Sequence, residues 1–447
     1  MKSPILFLLT LMISVLVTAQ DVNDPGPAPG FESRLKKYVD SLRIIDNHEH
    51  LFDPAIIKGS SFQDFMLLFQ QNGYDDLIAA GMPDSLFEKL YNESNTPVQK
   101  WKMIEPYWNN TFNTSFSRII LQGIKRLYNI DGLNENTVTR LSEKIRNGYD
   151  TNWMDRILKD SCHIDFIIQD GFNIPGKNTY IRYAKRFEDW LTVRSKFRID
   201  SIAIRQLDPI FTLEDFVKSL QLEFEKGVKE GMTVVKIFTA YSRTLNFERV
   251  ETNAARKVFK TLVNGEEDHI IPWNDAKPLQ DYIFYQLMDL AKKYKIPVTV
   301  HTGLQAGKNN FISNSDPTLL SGVFKAYPEV RFILYHGSYP FGGLLSALAK
   351  NYPNVYIDMN WTWSISPTYI ERYLNEWIET VPASKLIAFG GDAMVVENIY
   401  SELITAKRII SKVLTAKVRD GYFTETEARK VARMILHDNA AILYNFN

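Results

Sequence analysis

Between Pro297 and Asp392 the chain reads PVTVHTG (297–303), RFILYHG (331–337), NVYIDMN (354–360) and KLIAFGGD (385–392), four short apolar runs with helical stretches between them. Each apolar stretch is continuous rather than alternating and is bounded by small or polar residues, which is how parallel strands buried on both faces read. The same pattern recurs upstream in RIIDNHEH (43–50), HIDFIIQD (163–170), IDSIAIR (199–205) and TVVKIFTAY (233–241). Eight such runs with helical connections are enough to close a barrel, so the expected fold class is α/β, a (β/α)8 TIM barrel. An open doubly wound sheet carries the same alternation and is the competing arrangement.

Residues 53–161, between the first two runs, are too many for a bare barrel, and SFQDFMLLFQQ, VTRLSEKIRNGYD and WMDRILKD within them carry helical periodicity. They are expected to form a helical insertion on the side where barrel active sites lie. A shorter excursion, VNGEEDHIIPWNDAKP (263–278), follows the fourth run. At the other end, Lys2 and the apolar run before Thr18-Ala19 read as a signal peptide over 1–19, and the Pro- and Gly-rich 20–30 as a flexible lead-in to a barrel over 31–447. That predicts a periplasmic or secreted destination, with no stable membrane insertion after signal cleavage.

The 447 residues carry 52 basic and 52 acidic side chains, so no charge excess points to nucleic acid. With 45% hydrophobic residues the chain is too apolar for a disordered protein, and its one cysteine, Cys162, permits neither an intrachain disulfide nor a thiolate metal site. The expected partner is a small-molecule substrate, and a homo-oligomer is compatible with this composition.

Barrel enzymes carry their chemistry at the C-terminal ends of strands. The first run ends in His48-Glu49-His50, the fourth carries Lys236, the fifth ends in His301, the sixth in His336 and the eighth in Gly391-Asp392. Side chains two apart on a strand point the same way, so His48 and His50 form a two-point grip. With His301 and Asp392 they make a nitrogen and oxygen ligand set suited to a divalent metal, Zn²⁺ first. Such an ion acidifies water and polarises a carbonyl; Asp392 is the expected proton shuttle and His336 the group that polarises the substrate. Lys236 is open to two readings. Free and desolvated, it leaves one ion on His48, His50, His301 and Asp392, the preferred arrangement. Carbamylated, it would bridge two ions, with His301 and His336 on the second. Tyr241 and Arg243 follow Lys236, and Arg205 ends the third run; an arginine at the barrel mouth suggests a substrate carboxylate, although a surface ion pair explains each equally well.

These residues resemble the amidohydrolase superfamily of metal-dependent barrels, in its amidohydrolase-related (amidohydrolase-2) branch. VVKIFTAYSRTL (234–245), PVTVHTGL (297–304), SNSDPTLLSGVF (313–324), ILYHGSYPF (333–341) and VYIDMNWTW (355–363) are similar to the amidohydrolase domain of nodulin/glutamine synthetase-like fusion proteins. The resemblance runs from about Arg43 to Tyr444. It implies a metal-dependent hydrolase, and the subgroup's tie to glutamine chemistry implies a γ-glutamyl or other carboxylate-bearing amide, its carboxylate held by Arg243 or Arg205. The leader widens the expected substrates to extracellular amides, lactones and sugar acids. The superfamily also includes decarboxylases and uronate isomerases, which are the alternative activities. A non-catalytic metabolite-binding barrel is a third reading, disfavoured because it has no need of five polar groups aimed at one point.

Overall fold

The computed structural model describes residues 28–446 apart from 71, 93 and 172–178. The expected leader (1–19) and most of the lead-in lie outside the described residues. Among the described residues no helix is long and apolar enough to cross a membrane.

Eight parallel strands run in sequence order: β1 (Ile44–Glu49), β2 (Ile164–Asp170), β3 (Ile181–Arg186), β4 (Met232–Ile237), β5 (Val298–Val300), β6 (Phe332–Leu334), β7 (Val355–Asp358) and β8 (Leu386–Ile387). The chain just past β8 closes the barrel on β1. Asn47 N donates to Phe389 O (3.1 Å), Asp392 N to His48 O (2.9 Å), and His50 N to Ala393 O (2.9 Å).

The two faces of the strands divide as a period of two requires. One buried cluster takes Ile45, Ile168, Ala184, Val234, Ile333, Tyr335 and Ile387 from six strands and the residue after β6, and is plugged by Ala440, Leu443 and Tyr444 of the C-terminal helix Asn439–Tyr444. The alternate residues, such as Ile44, Ile167, Val235, Val300, Leu334 and Ile357, join the larger cluster shared with the surrounding helices.

Seven of the eight expected runs coincide with strands. The third does not. IDSIAIR lies in the helix Lys196–Gln206, which buries Ile199 and Ile202, three residues apart, and leaves Ile204 73% exposed. Ser195 caps that helix through Arg198 N. The true β3, IRYAKR, has only Ala184 fully buried. Its charges are tied down laterally: Arg182 lies over Phe166 at 4.9 Å, and Lys185 pairs with Glu223 at 2.5 Å. This is a polar strand that an apolar-run criterion passes over.

Between β1 and β2 the chain forms helices, the longest being Pro97–Thr111, Ser115–Tyr128 and Glu135–Gly148. Thr96 and Gln99 form a reciprocal cap at the first of these. The second packs on the long helix Val396–Arg419, where a Cβ on Gly123 would stand 2.9 Å from Ser401 Oγ. Tyr128 and Trp153 both donate to the buried Glu397 carboxylate, at 2.5 and 3.0 Å. The same insertion reaches the loop after β5 through Gly307 N, which donates to Asp75 (2.8 Å). It therefore stands on the side of the barrel where the strands end.

Candidate metal centre

The strand ends converge on one cavity of about 520 Å³, lined by His48, His50, Gly171, Arg186, Lys236, Phe238, Tyr241, His301, Asp392 and Met394. At its floor, Asp392 Oδ1 is 3.3 Å from His48 Nε2 and 3.1 Å from His50 Nε2. Ligand atoms of His48, His50 and Asp392 all lie within 4.8 Å of one another. His50 Nδ1 donates to the main-chain carbonyl of Asp170 (3.0 Å), which fixes the tautomer and leaves a lone pair on Nε2.

Burial, reinforced by Lys236, lowers the His48 pKa to about 4 against the opposing pull of Asp392. The same two causes lower His301 to about 3. Burial and His301 hold His336 well below the usual imidazole range. Burial pushes Asp392 up, but His48 and His50 outweigh it and hold the carboxyl well below the usual carboxylate range. His48 is therefore a neutral imidazole beside an ionised carboxylate, the protonation state that a metal requires of its ligands.

A second line of histidines stands behind this cluster. His301 Nε2 donates to Leu304 O (2.8 Å), so its Nδ1 accepts from His336 Nε2 (2.9 Å). Both ring nitrogens of His301 are thus engaged, which keeps this residue, expected as the fourth ligand, out of the convergent set. His336 is left with a lone pair on Nδ1. That atom is buried without a hydrogen-bond partner, 3.9 Å from Asp392 Oδ2. A lone pair opposite a carboxylate is a repulsive arrangement that a cation between them would relieve, so the residues present fit a divalent ion. The same tautomer corrects the expected polarising role of His336, which needs an N–H on that nitrogen.

Lys236 is fully enclosed. Its Nζ lies 3.2 Å from His48 Nε2, 3.4 Å from Asp170 Oδ2 and 4.4 Å from the centre of the Tyr335 ring. Burial lowers its pKa, with Asp170 and Asp392 opposing. Asp170 and Arg186, which end β2 and β3, were not among the expected site residues. Arg186 grips Asp170 through Nε (2.6 Å) and Nη2 (3.0 Å) and rests on the Phe238 ring at 4.5 Å. Burial raises Asp170, but Lys236, His50 and Arg186 together hold it well below the ordinary carboxylate range. The signal for Asp170 was available, since it ends HIDFIIQD at a strand terminus; Arg186 was hidden with β3.

The three residues expected to hold substrate separate. Tyr241 lines the cavity, 4.9 Å from His301 ring to ring. Arg205 stands on the outer helix, 55% exposed, and pairs with Asp189 at 2.5 Å, because its run is helical. Arg243 is 1% exposed and spent on Asp281 (2.7 Å), Gln280 (3.1 Å) and two carbonyls, an interior brace for the loop after β4.

Behind β1, Glu49 and Asp46 form a buried carboxyl pair. Burial raises Asp46 to about 7 against a hydrogen bond with Glu49, while burial and the neighbouring Asp46 push Glu49 well above the usual carboxylate range. Glu49 accepts main-chain N–H groups on both oxygens, and the bond from Ala393 opposes part of that rise.

Residues 254–446 match the family model Amidohydrolase. The chain is 31% identical over 206 residues, 45% of its length, to protein fluG of Emericella nidulans; the match spans 23% of that protein. The part of the chain that carries β5 to β8 is thus similar in sequence to the amidohydrolase family. The barrel also resembles the solved uronate isomerase of Thermotoga maritima, with a TM-score of 0.76 at 16% identity over 93% of this chain and 97% of that one. A Lactobacillus casei protein described as a candidate metal-dependent hydrolase gives 0.65 at 19% identity over 92% and 97%. These likenesses establish the barrel, and the His-His-Asp cluster stands at the ends of its strands.

Proposed function

We propose that the protein is a Zn²⁺-dependent hydrolase acting on a small carboxylate-bearing amide, of which a γ-glutamyl amide is one form. The observation that carries this reading is the Arg186 guanidinium opening into the same cavity as His48, His50 and Asp392. Arg186 takes over the carboxylate-binding role first expected of Arg205 and Arg243: its Nε and Nη2 are held by Asp170, and its remaining nitrogen is available to a substrate anion.

His48, His50 and Asp392 would hold the ion, with His336 Nδ1 the further donor facing them. A divalent ion there supplies Lewis acidity, polarising a carbonyl and acidifying water. Asp392 is ionised and is the base that takes the proton of the attacking water and returns it to the departing amine. Tyr241 covers the cavity wall beside His301. Lys236 has the surroundings of an ammonium ion, a carboxylate, an imidazole nitrogen and an aromatic face, which supports one metal ion rather than two bridged by a carbamate. The leader-like first 19 residues support export to the periplasm or beyond, tested by the N-terminal mass of the mature protein.

A second reading, isomerisation of a sugar acid, is favoured by the likeness to a uronate isomerase along nearly the whole chain. Both substrates carry a carboxylate for Arg186. Incubation of the Zn²⁺-loaded protein with γ-glutamyl amides and, separately, with uronates decides between them. Release of amine with water uptake supports hydrolysis; an aldose-to-ketose change with no amine release supports isomerisation and overturns the hydrolase reading.

A further inference from the structure

The middle residue of the His48-Glu49-His50 grip has no place in the chemistry above. It points away from its neighbours, as the strand alternation requires, and is fully buried. Its Oε1 accepts Gly391 N at 2.6 Å and its Oε2 accepts Ala393 N at 2.7 Å. The N–H between these two, that of Asp392, goes to His48 O (2.9 Å), and Ala393 O accepts from His50 N (2.9 Å). Every main-chain N–H from 391 to 393 is therefore satisfied by β1.

Two features make this bracket specific. Asp392 has φ 53°, in the left-handed region that a non-glycine residue occupies only when its surroundings hold it. The approach is also too close for any side chain at the preceding positions. A Cβ on Gly391 would stand 2.6 Å from Glu49 Oε1, and one on Gly390 2.4 Å from Asn47 Oδ1. The FGGD run is thus shaped to receive the carboxylate.

We propose that Glu49 is a positioning residue: by accepting the N–H groups on either side of Asp392, its carboxylate sets the approach of that ligand to His48 and His50. The metal-binding half of the preceding reading is the only part of it required; the substrate plays no role.

The test is titration of the metal-free protein with Co²⁺, read by affinity and by the visible ligand-field spectrum, for the native chain, Glu49→Ala, Glu49→Gln and a control, Leu414→Ala. Leu414 is fully buried in the helix Val396–Arg419, 22 residues beyond Asp392 along the chain (414 − 392). Glu49→Ala is expected to weaken Co²⁺ binding by about 10- to 100-fold and to shift the spectrum, the usual cost of removing a group that orients a ligand. Glu49→Gln keeps one acceptor oxygen and the side-chain volume, so it should fold even where alanine does not, and bind with intermediate affinity. The control should lose stability and keep native affinity and spectrum. Native binding and spectrum in folded Glu49→Ala, or in Glu49→Gln if the alanine variant does not fold, would overturn the proposal, as would an equal loss in the control. Failure of the native chain to bind Co²⁺ would instead overturn the metal site itself.

Discussion

Asp392 is the residue on which both imidazoles of β1 converge, and its charge is the property to remove. Asp392→Asn keeps the shape and loses the base; kcat should fall by at least about 100-fold at matched metal content, measured by steady-state kinetics beside elemental analysis. His48→Ala should lose stoichiometric metal, because one of three convergent donors goes. The two arginines make a contrasting pair. Arg186→Ala should raise KM about 10- to 100-fold for a carboxylate-bearing substrate, the value of a charged hydrogen bond. Arg205→Ala should leave KM unchanged and stability within about 1 kcal/mol, since it removes only an exposed ion pair. The sequence showed His48, His50 and Asp392 because each closes a legible strand. It misplaced both expected arginines, since an arginine's role depends on which acid it meets, and Asp189 and Asp281 are neighbours only in space.

At the scale of elements, the turns after β5 and β6 are interlocked. Gly303 has φ 79°, and a Cβ there would stand 2.3 Å from Tyr339 O and 2.6 Å from Tyr339 N, main-chain atoms that cannot swing aside. Gly303→Ala combines left-handed strain with overpacking and should cost about 3 kcal/mol in chemical denaturation. It should also disturb the His301–His336 contact, because the two histidines lead into these turns. Strand order was legible because seven strands are buried on both faces and so read as continuous apolar runs. β3 was not, because its faces are covered by long charged side chains, while the isoleucines of 199–205 supply a counterfeit run on a helix that leaves one of them in water. β8 has two residues, and its identity rests on the bonds that the following turn makes to β1.

For the whole molecule, the buried imidazoles couple stability to pH. The unfolded chain protonates histidine near 6.5, but the folded chain protonates His48 only near 4 and His301 only near 3. Between those values the unfolded state binds more protons, so stability is present above about pH 6.5 and is lost as pH falls through this window. Asp392, held below its ordinary range, adds loss in the same direction at still lower pH. Each ring contributes about 3 kcal/mol by pH 4, and the metal-free protein should show a steep fall in denaturation midpoint between pH 7 and pH 4. A flat profile would mean that the rings titrate as exposed imidazoles do.

The seam between β1 and the chain beyond β8 also dictates when the centre can exist. Glu49 and Gly391 are 342 residues apart, and the ligands His48 and Asp392 stand on the two sides of the closure. During synthesis the first two donors leave the ribosome long before the third is made, and they have no partner until the barrel shuts. Metal capture is therefore a late event in the life of the chain, and a bound ion certifies that the first strand has met the last.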